Sequence, residues 1–322
     1  MQRFLSSQIG GHVGELICLA GWLHRVRQLS QVSFLILRDR AGLAQIVIED
    51  AALAEQLAAL NPETVLSVEG LVVAEAQAPT GFEIHNPRIT VISKATEPPF
   101  EMFRPGLNIQ LPTMLDYAPL ALRHPRQRAL WQLANASMAG FRSTLRAQGF
   151  TEIQTPKLVE SATEGGANVF KLDYFGRPAY LAQSPQFYKQ TMVGVFERVF
   201  EVGPVFRAEP HDTPRHLNEY VSLDVELGFI ENHTSVMAVL TEVIGGMLAS
   251  IREMAPDALA LLGTKRSALA LPELPTHIPV VHFTEALEIV LQETGEDARA
   301  EPDLAPAHER ALGEWSRREH GS

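Results

Sequence analysis

The sequence predicts an α+β protein, with a small β-barrel first and an antiparallel sheet flanked by helices after it. Three observations carry that expectation. Five short β-like runs follow one another between residues 14 and 92, with turn residues between them. Residues 95–125 then hold Pro98, Pro99, Pro105, Pro112, Pro119 and Pro125, which separate two regions of different texture. Beyond them, helical spacing at 126–148 and 234–252 brackets a long hairpin pattern at 203–228.

The five runs are ELICLAGWLHR, VSFLILRD, LAQIVIE, TVLSVEGLVVA and GFEIHNPRITVIS. Arg40-Ala41-Gly42, Asn61-Pro62 and Pro79-Thr80-Gly81 supply turns, and a helical stretch from Ala51 to Leu60 falls between the third and fourth runs. Five strands with a helix in that place describe an OB-fold barrel, a frame used for single-stranded nucleic acid. Residues 1–95 are assigned to it, and 96–122 to a semi-rigid proline-rich linker.

Residues 123–322 form the second predicted domain. From Arg126 to Gln148, Leu130, Leu133, Ala134, Met138, Phe141 and Leu145 share one broad helical face, and Gly149 stops the helix. Residues 150–156 follow as a strand ending on Pro156. Past Pro256 the pattern weakens into proline-rich, acidic sequence.

The hairpin carries the chemistry. Arg207 and Glu209, two apart, point to one face of a strand. On the return run Val221, Leu223, Val225 and Leu227 take the core face, while Tyr220, Ser222, Asp224 and Glu226 take the other. An arginine fork suits a phosphate, and carboxylates suit an amine or a metal ion. Upstream, Gln186 and Lys189 lie three apart on one side of a helix beginning near Pro185. Glu164-Gly165-Gly166 reads as a loop able to approach a ligand closely.

Composition sets wide bounds. Hydrophobic residues make up 46% of the 322, and mean hydropathy is close to zero, as in ordinary globular proteins. Cys18 is the single cysteine, so no internal disulfide forms. No apolar signal core follows Met1, and no uninterrupted apolar run reaches membrane-spanning length, so the cytoplasm is the expected compartment. The net charge of −11 does not exclude nucleic acid, because residues 250–322 concentrate thirteen Asp/Glu against seven Lys/Arg.

Phe206-Arg207-Ala208-Glu209, the loop 215–219 and the acidic return strand resemble motif 2 of class II aminoacyl-tRNA synthetases, in the aspartyl/asparaginyl subgroup. The helix, strand and Pro156 resemble that family's motif 1, which builds a homodimer. The resemblance implies ATP and Mg2+ as cofactors, with Arg207 on the α-phosphate as the catalytic residue. It implies Glu209, Arg215, His216 and Leu217 around ATP, and Tyr220 stacked on adenine. L-aspartate would meet Glu164, Gln183, Gln186 and Asp224, with Lys189 on its side-chain carboxylate.

In the barrel the resemblance assigns the tRNA anticodon to Phe34 and Gln45, with Arg25 and Arg27 on nearby phosphates. His24 and Pro79 resemble the non-discriminating form, which aspartylates both tRNA-Asp and tRNA-Asn and hands the latter to an amidotransferase. The family's terminal motif, a glycine-rich segment with an arginine, is not found before Ser322. The expected catalytic domain is therefore C-terminally incomplete. The alternative is a non-catalytic RNA-binding protein with a degenerate synthetase half.

Overall fold

The computed structural model describes residues 2–29, 32–162, 169–209, 217–264, 267–275 and 278–321. They form two compact units, Met1–Trp131 and Gln132–Ser322.

The first unit is the barrel the alternation predicts. Its strands are β1 (Arg3–Phe4), β2 (Leu16–Gln28), β3 (Ser33–Arg38), β4 (Leu43–Ile48), β5 (Val65–Ala74) and β6 (Phe82–Ser93). They lie in the order β1-β2-β3-β4-β6-β5, and a further β2–β5 pairing closes the sheet on itself. Helix α1 (Ala51–Ala58) sits between β4 and β5, started by the Asp50 carboxylate, which accepts from the Ala52 and Leu53 N–H groups. Ile17, Leu19, Leu23, Leu35, Leu37, Ile46 and Val68 fill the interior. Each such fully buried side chain contributes roughly 1.5–3 kcal/mol.

One irregularity places the outward residues. Leu23 pairs with Leu37 and Arg25 with Ile36, so His24 is an extra residue in β2, a β-bulge. Odd-numbered Ile17, Leu19 and Leu23 point inward before it, and even-numbered Val26 packs on the core after it. Trp22 and Arg25 thereby share the outer face although they are three apart.

The proline-rich stretch holds two short helices, α2 (Leu111–Asp116) and α3 (Ala118–Ala121), each with a proline in its first turn. Helix α4 (Pro125–Ala147) follows with the predicted bounds to within a residue.

In the second unit, strands β7 (Thr151–Glu152), β11 (Arg198–Phe206) and β12 (Glu219–Leu227) form one sheet, in the order β12-β11-β7. A second sheet joins β8 (Leu158–Val159), β9 (Lys171–Tyr174) and β10 (Arg177–Leu181) in the order β8-β10-β9. Phe200 and Val202 of β11 pack on Phe141 and Leu145 of α4 and on Val243 of α6 (His233–Met254). The Phe141 and Phe200 rings meet edge to face at 5.7 Å. Helices α4 and α6 touch backbone to backbone: a Cβ added at Gly140 would lie 2.6 Å from the Gly246 carbonyl oxygen. The Ser250 hydroxyl donates to the Ala136 carbonyl at 2.8 Å across the same contact.

Several expectations need correction. The strand over 150–156 shrinks to the two residues of β7, because after it the chain turns to bond Glu201. Val221 is 57% exposed, since it opposes exposed Pro204 beyond the part of the sheet that the helices cover. Helix α6 is long and apolar enough to cross a membrane by length and composition alone, which no uninterrupted run in the sequence signalled. One of its stripes, Val239, Val243 and Met247, packs in the core. The acidic end is ordered as α7 (Pro256–Leu262), α8 (Phe283–Thr294) and α9 (Pro306–His320). Leu287 and Val290 of α8 pack with Ala298, Leu304 and Leu312.

Candidate active site and nucleic-acid interface

In the second unit the antiparallel register sorts the hairpin into two faces. Glu201 stands opposite Asp224, Val199 opposite Glu226, Gly203 opposite Ser222 and Val205 opposite Tyr220, and each opposed pair shares a face. Phe200, Val202, Leu223 and Val225 take the other side, against α4 and α6. One face therefore belongs to the core, and the other collects the polar side chains.

Helix α5 (Gln186–Phe196) brings Lys189 to that polar face. Its start is pinned by the segment before it. The Phe206 N–H donates to the Ala182 carbonyl, and the Ala182 N–H donates to the Lys157 carbonyl. Gln183 and Ser184 are buried, and the Ser184 hydroxyl oxygen accepts from the Gln186 N–H at 3.2 Å. One turn on, Lys189 Nζ donates to Asp224 Oδ1 at 3.1 Å and stands 3.6 Å from Glu226 Oε2. The Lys189 and Asp224 side chains are each only 13% exposed, so this pair is far less screened than a surface ion pair. Two carboxylates share one ammonium. An incoming molecule with both an amine and a carboxylate finds a partner for each.

A second cluster lies on the same face, and the sequence reading had not assigned it. Buried Glu201 accepts from the Thr155 N–H at 3.0 Å and from its hydroxyl at 2.7 Å, and Lys157 Nζ lies 3.0 Å away. A glutamate two residues before a glycine in an apolar strand was the available signal.

Arg207 and Glu209 sit differently from the expectation. Strand β11 ends at Phe206, so the two-residue alternation does not extend to them. The Arg207 N–H still donates to the Asn218 carbonyl at 2.9 Å, and the Glu209 N–H then donates back to the Arg207 carbonyl at 2.8 Å. The chain turns tightly there, at the open end of the hairpin. Tyr220 belongs to the polar face and Leu217 is exposed. Glu164, Arg215 and His216 lie outside the described residues. Among the described residues no three His, Cys, Asp or Glu side chains converge as a metal site.

In the first unit a cavity of about 180 Å³ opens on the outer face of the barrel. His24, Arg25, Arg27, Gln45 and Pro79 all line it, and Phe34 lies beside it on the same sheet face, opposite Arg27 and Val47. Gln45 donates to Glu83 at 2.7 Å, and Glu83 in turn meets His85 at 3.1 Å. Phe103 also lines the cavity, with the Arg25 guanidinium 5.9 Å from its ring centroid. It comes from the proline-rich stretch, where nothing in the sequence singled it out. Buried His24 has its pKa lowered to about 4, by burial first and then by the positive charges of Arg38 and Arg25. It is a neutral imidazole at physiological pH.

Comparison with known proteins agrees with both halves. Residues 17–92 match the OB-fold nucleic acid binding domain, and residues 110–320 match the family described as tRNA synthetases class II (D, K and N). The chain belongs to the class II tRNA synthetases of that D, K and N group. Among individual relatives, an aspartate–tRNA(Asp/Asn) ligase of Deinococcus radiodurans is 42% identical over 100% of this chain and 72% of its own length. A ligase of the same description from Thermus thermophilus is 42% identical over 99% of this chain and 73% of its own. The crystal structure of asparaginyl-tRNA synthetase from Pyrococcus horikoshii complexed with asparaginyl-adenylate superposes with a TM-score of 0.88. It is 30% identical and covers 98% of this chain and 72% of that one.

Proposed function

We propose that the protein attaches L-aspartate to tRNA through an aspartyl-adenylate made from ATP. The observation that carries this reading is Lys189, held under α5 at 3.1 Å from Asp224 and within reach of Glu226. A fixed ammonium favours a side-chain carboxylate over a neutral amide, so the site selects aspartate over asparagine. Asp224 takes the substrate ammonium, and buried Gln183 with Gln186 frames that end. The α-carboxylate then attacks the α-phosphate of ATP, and pyrophosphate leaves. The 3′-terminal hydroxyl of the tRNA attacks the resulting acyl group, and AMP leaves. Arg207 at the open end of the hairpin stabilises charge on the α-phosphate, and Tyr220 and Glu209 take the adenine end. Positioning supplies the rest of the acceleration.

Mg2+ is the usual companion of ATP in this chemistry. The described residues offer it no ligand set, and no step is assigned to it.

The first unit reads the anticodon in the cavity that holds His24, Gln45 and Pro79. Neutral His24 and uncharged Pro79 exclude less than a bulky aromatic and a lysine would, so both tRNA-Asp and tRNA-Asn are substrates. Aspartyl-tRNA-Asn then requires an amidotransferase partner. The segment 126–156 is the homodimer element. Side-by-side aspartate charging of the two transcripts tests the reading. Comparable efficiencies are expected, and a preference of about a hundredfold for tRNA-Asp would overturn the dual specificity, since one base contact is worth about 1–3 kcal/mol. Failure to activate aspartate, with asparagine activated instead, would overturn the role of Lys189.

A further inference from the structure

A second cavity, of about 260 Å³, lies in the first unit and is walled by Trp22, Arg38, Arg40, Arg123 and Arg128. We propose that it is a phosphate-binding pocket, separate from the cavity that holds His24 and Gln45. The proposal rests on charge and geometry within the first unit and does not depend on aminoacylation.

Four guanidinium groups line this space, and two carboxylates stand near them. Both carboxylates are already engaged. Buried Glu63 bridges Arg38, at 2.7 Å, and Arg123, at 2.9 Å. Asp39 accepts from the Ser6 N–H and hydroxyl and from the Ala41 and Gly42 N–H groups, at 2.6–3.0 Å. Arg128 meets only the backbone carbonyls of Asp39 and Arg40 in its printed contacts, and Arg40 is exposed. Among the described residues neither Arg128 nor Arg40 has a carboxylate within ion-pair distance. Two positive charges are left in excess, in a chain whose net charge is −11. Arg128 responds to that field: burial first, and then Arg38, lower its pKa from the ordinary arginine value. Crowded, partly buried guanidiniums are unfavourable alone, and an anion between them reverses the sign.

The arrangement is also preorganised. The guanidinium carbons of Arg38 and Arg123 stand 5.7 and 5.9 Å from the Trp22 ring centroid, and Glu63 ties both from behind. Rigid arginine forks match phosphate oxygens, which a flexible lysine cluster would not do as well. Trp22 pairs with Arg38 on the outer sheet face, two residues along β3 from Ile36, which lines the first cavity. That step is roughly 7 Å of strand. A nucleic-acid strand lying in the first cavity would carry its next phosphates toward the second. A free phosphate is the other source of the same chemistry.

The test uses the full chain with Trp131→Phe and Trp315→Phe, which leaves Trp22 as the only tryptophan. Its fluorescence is titrated at low salt with inorganic phosphate and, separately, with a nine-nucleotide single-stranded RNA. Arg40→Met and Arg128→Met are compared, with thermal melts to show that each variant folds. Arg40 is exposed, so its replacement leaves the Glu63 bridge intact. The expected result is a saturable response to both probes, and a salt slope for RNA that falls by about one for each arginine removed. A response to phosphate without one to RNA supports the pocket and assigns it to a free phosphate. Gln45→Ala should leave the phosphate response unchanged, which separates this pocket from the anticodon reading. No phosphate response, together with RNA binding indifferent to both arginine variants, overturns the proposal.

Discussion

Acidification is expected to weaken the first unit through His24. In the unfolded chain this imidazole takes up a proton near its ordinary value of 6.5, whereas in the fold it resists until about 4. The folded value is the lower one, so the stabilisation is complete above about pH 6.5 and is lost as the pH falls through that window. At about 1.36 kcal/mol per pH unit, the two units between 6.5 and 4.5 cost about 2.7 kcal/mol. Residual contact with water reduces that to roughly 2 kcal/mol. Other groups titrate in the same range, so the informative quantity is a difference. Urea unfolding of the wild type and of His24→Gln at pH 7, 5.5 and 4.5 isolates it. The variant should be less stable at pH 7, because the bulge loses its packed ring, and should gain roughly 2 kcal/mol on the wild type by pH 4.5. Parallel pH profiles would show that His24 is protonated in the fold without penalty, and would remove the argument that Arg38 and Arg25 keep it neutral.

Three further outcomes follow from the second unit. Lys189→Leu should lower aspartate-dependent ATP–pyrophosphate exchange on the order of a hundredfold or more, as expected for losing a buried charge-assisted contact, and an unchanged rate would refute the assignment. Arg207→Ala should abolish that exchange while leaving tRNA affinity nearly intact, because the barrel binds separately; a parallel loss of both would make the hairpin end structural. Gly140→Ala should destabilise the unit by about 1–2 kcal/mol, since its Cβ would meet the Gly246 backbone at 2.6 Å and overpacking outweighs the gain in helix propensity. Gly245→Ala meets only Leu274 Cδ1, at 3.4 Å, and should be neutral or mildly stabilising in the same denaturant titrations.

The barrel was legible because each strand alternates strictly and each turn carries its own Gly or Pro. The polar face of the hairpin was legible for the same reason: Tyr220, Ser222, Asp224 and Glu226 are spaced by two. What escaped depends on contacts between distant residues. Lys189 and Asp224 are 35 positions apart, and their ion pair follows from α5 packing on β12. Glu201 reads as one polar residue in an apolar strand until Thr155 and Lys157 reach it. Phe103 was lost in proline-rich sequence that gives no periodicity. The helices α8 and α9 were missed because the prolines between them dominate the local pattern, although Leu287 and Val290 keep helical spacing. Arg207 was placed one step too far along a strand that ends at Phe206.

The extra residue in β2 makes strand length the sensitive property at this point. Position 24 can exchange one side chain for another and keep every neighbour in place. Removing the position altogether would invert the parity of all that follows: Arg25 and Arg27 would turn into the interior, and Val26 would turn out to water. The outer surface would lose its basic row in a single step, while composition and net charge would hardly change. Among homologous chains, alignments should therefore tolerate many residue types opposite His24 but no gap. A relative that does carry a gap there should show a compensating insertion before Gln28, or should have given up its nucleic-acid face.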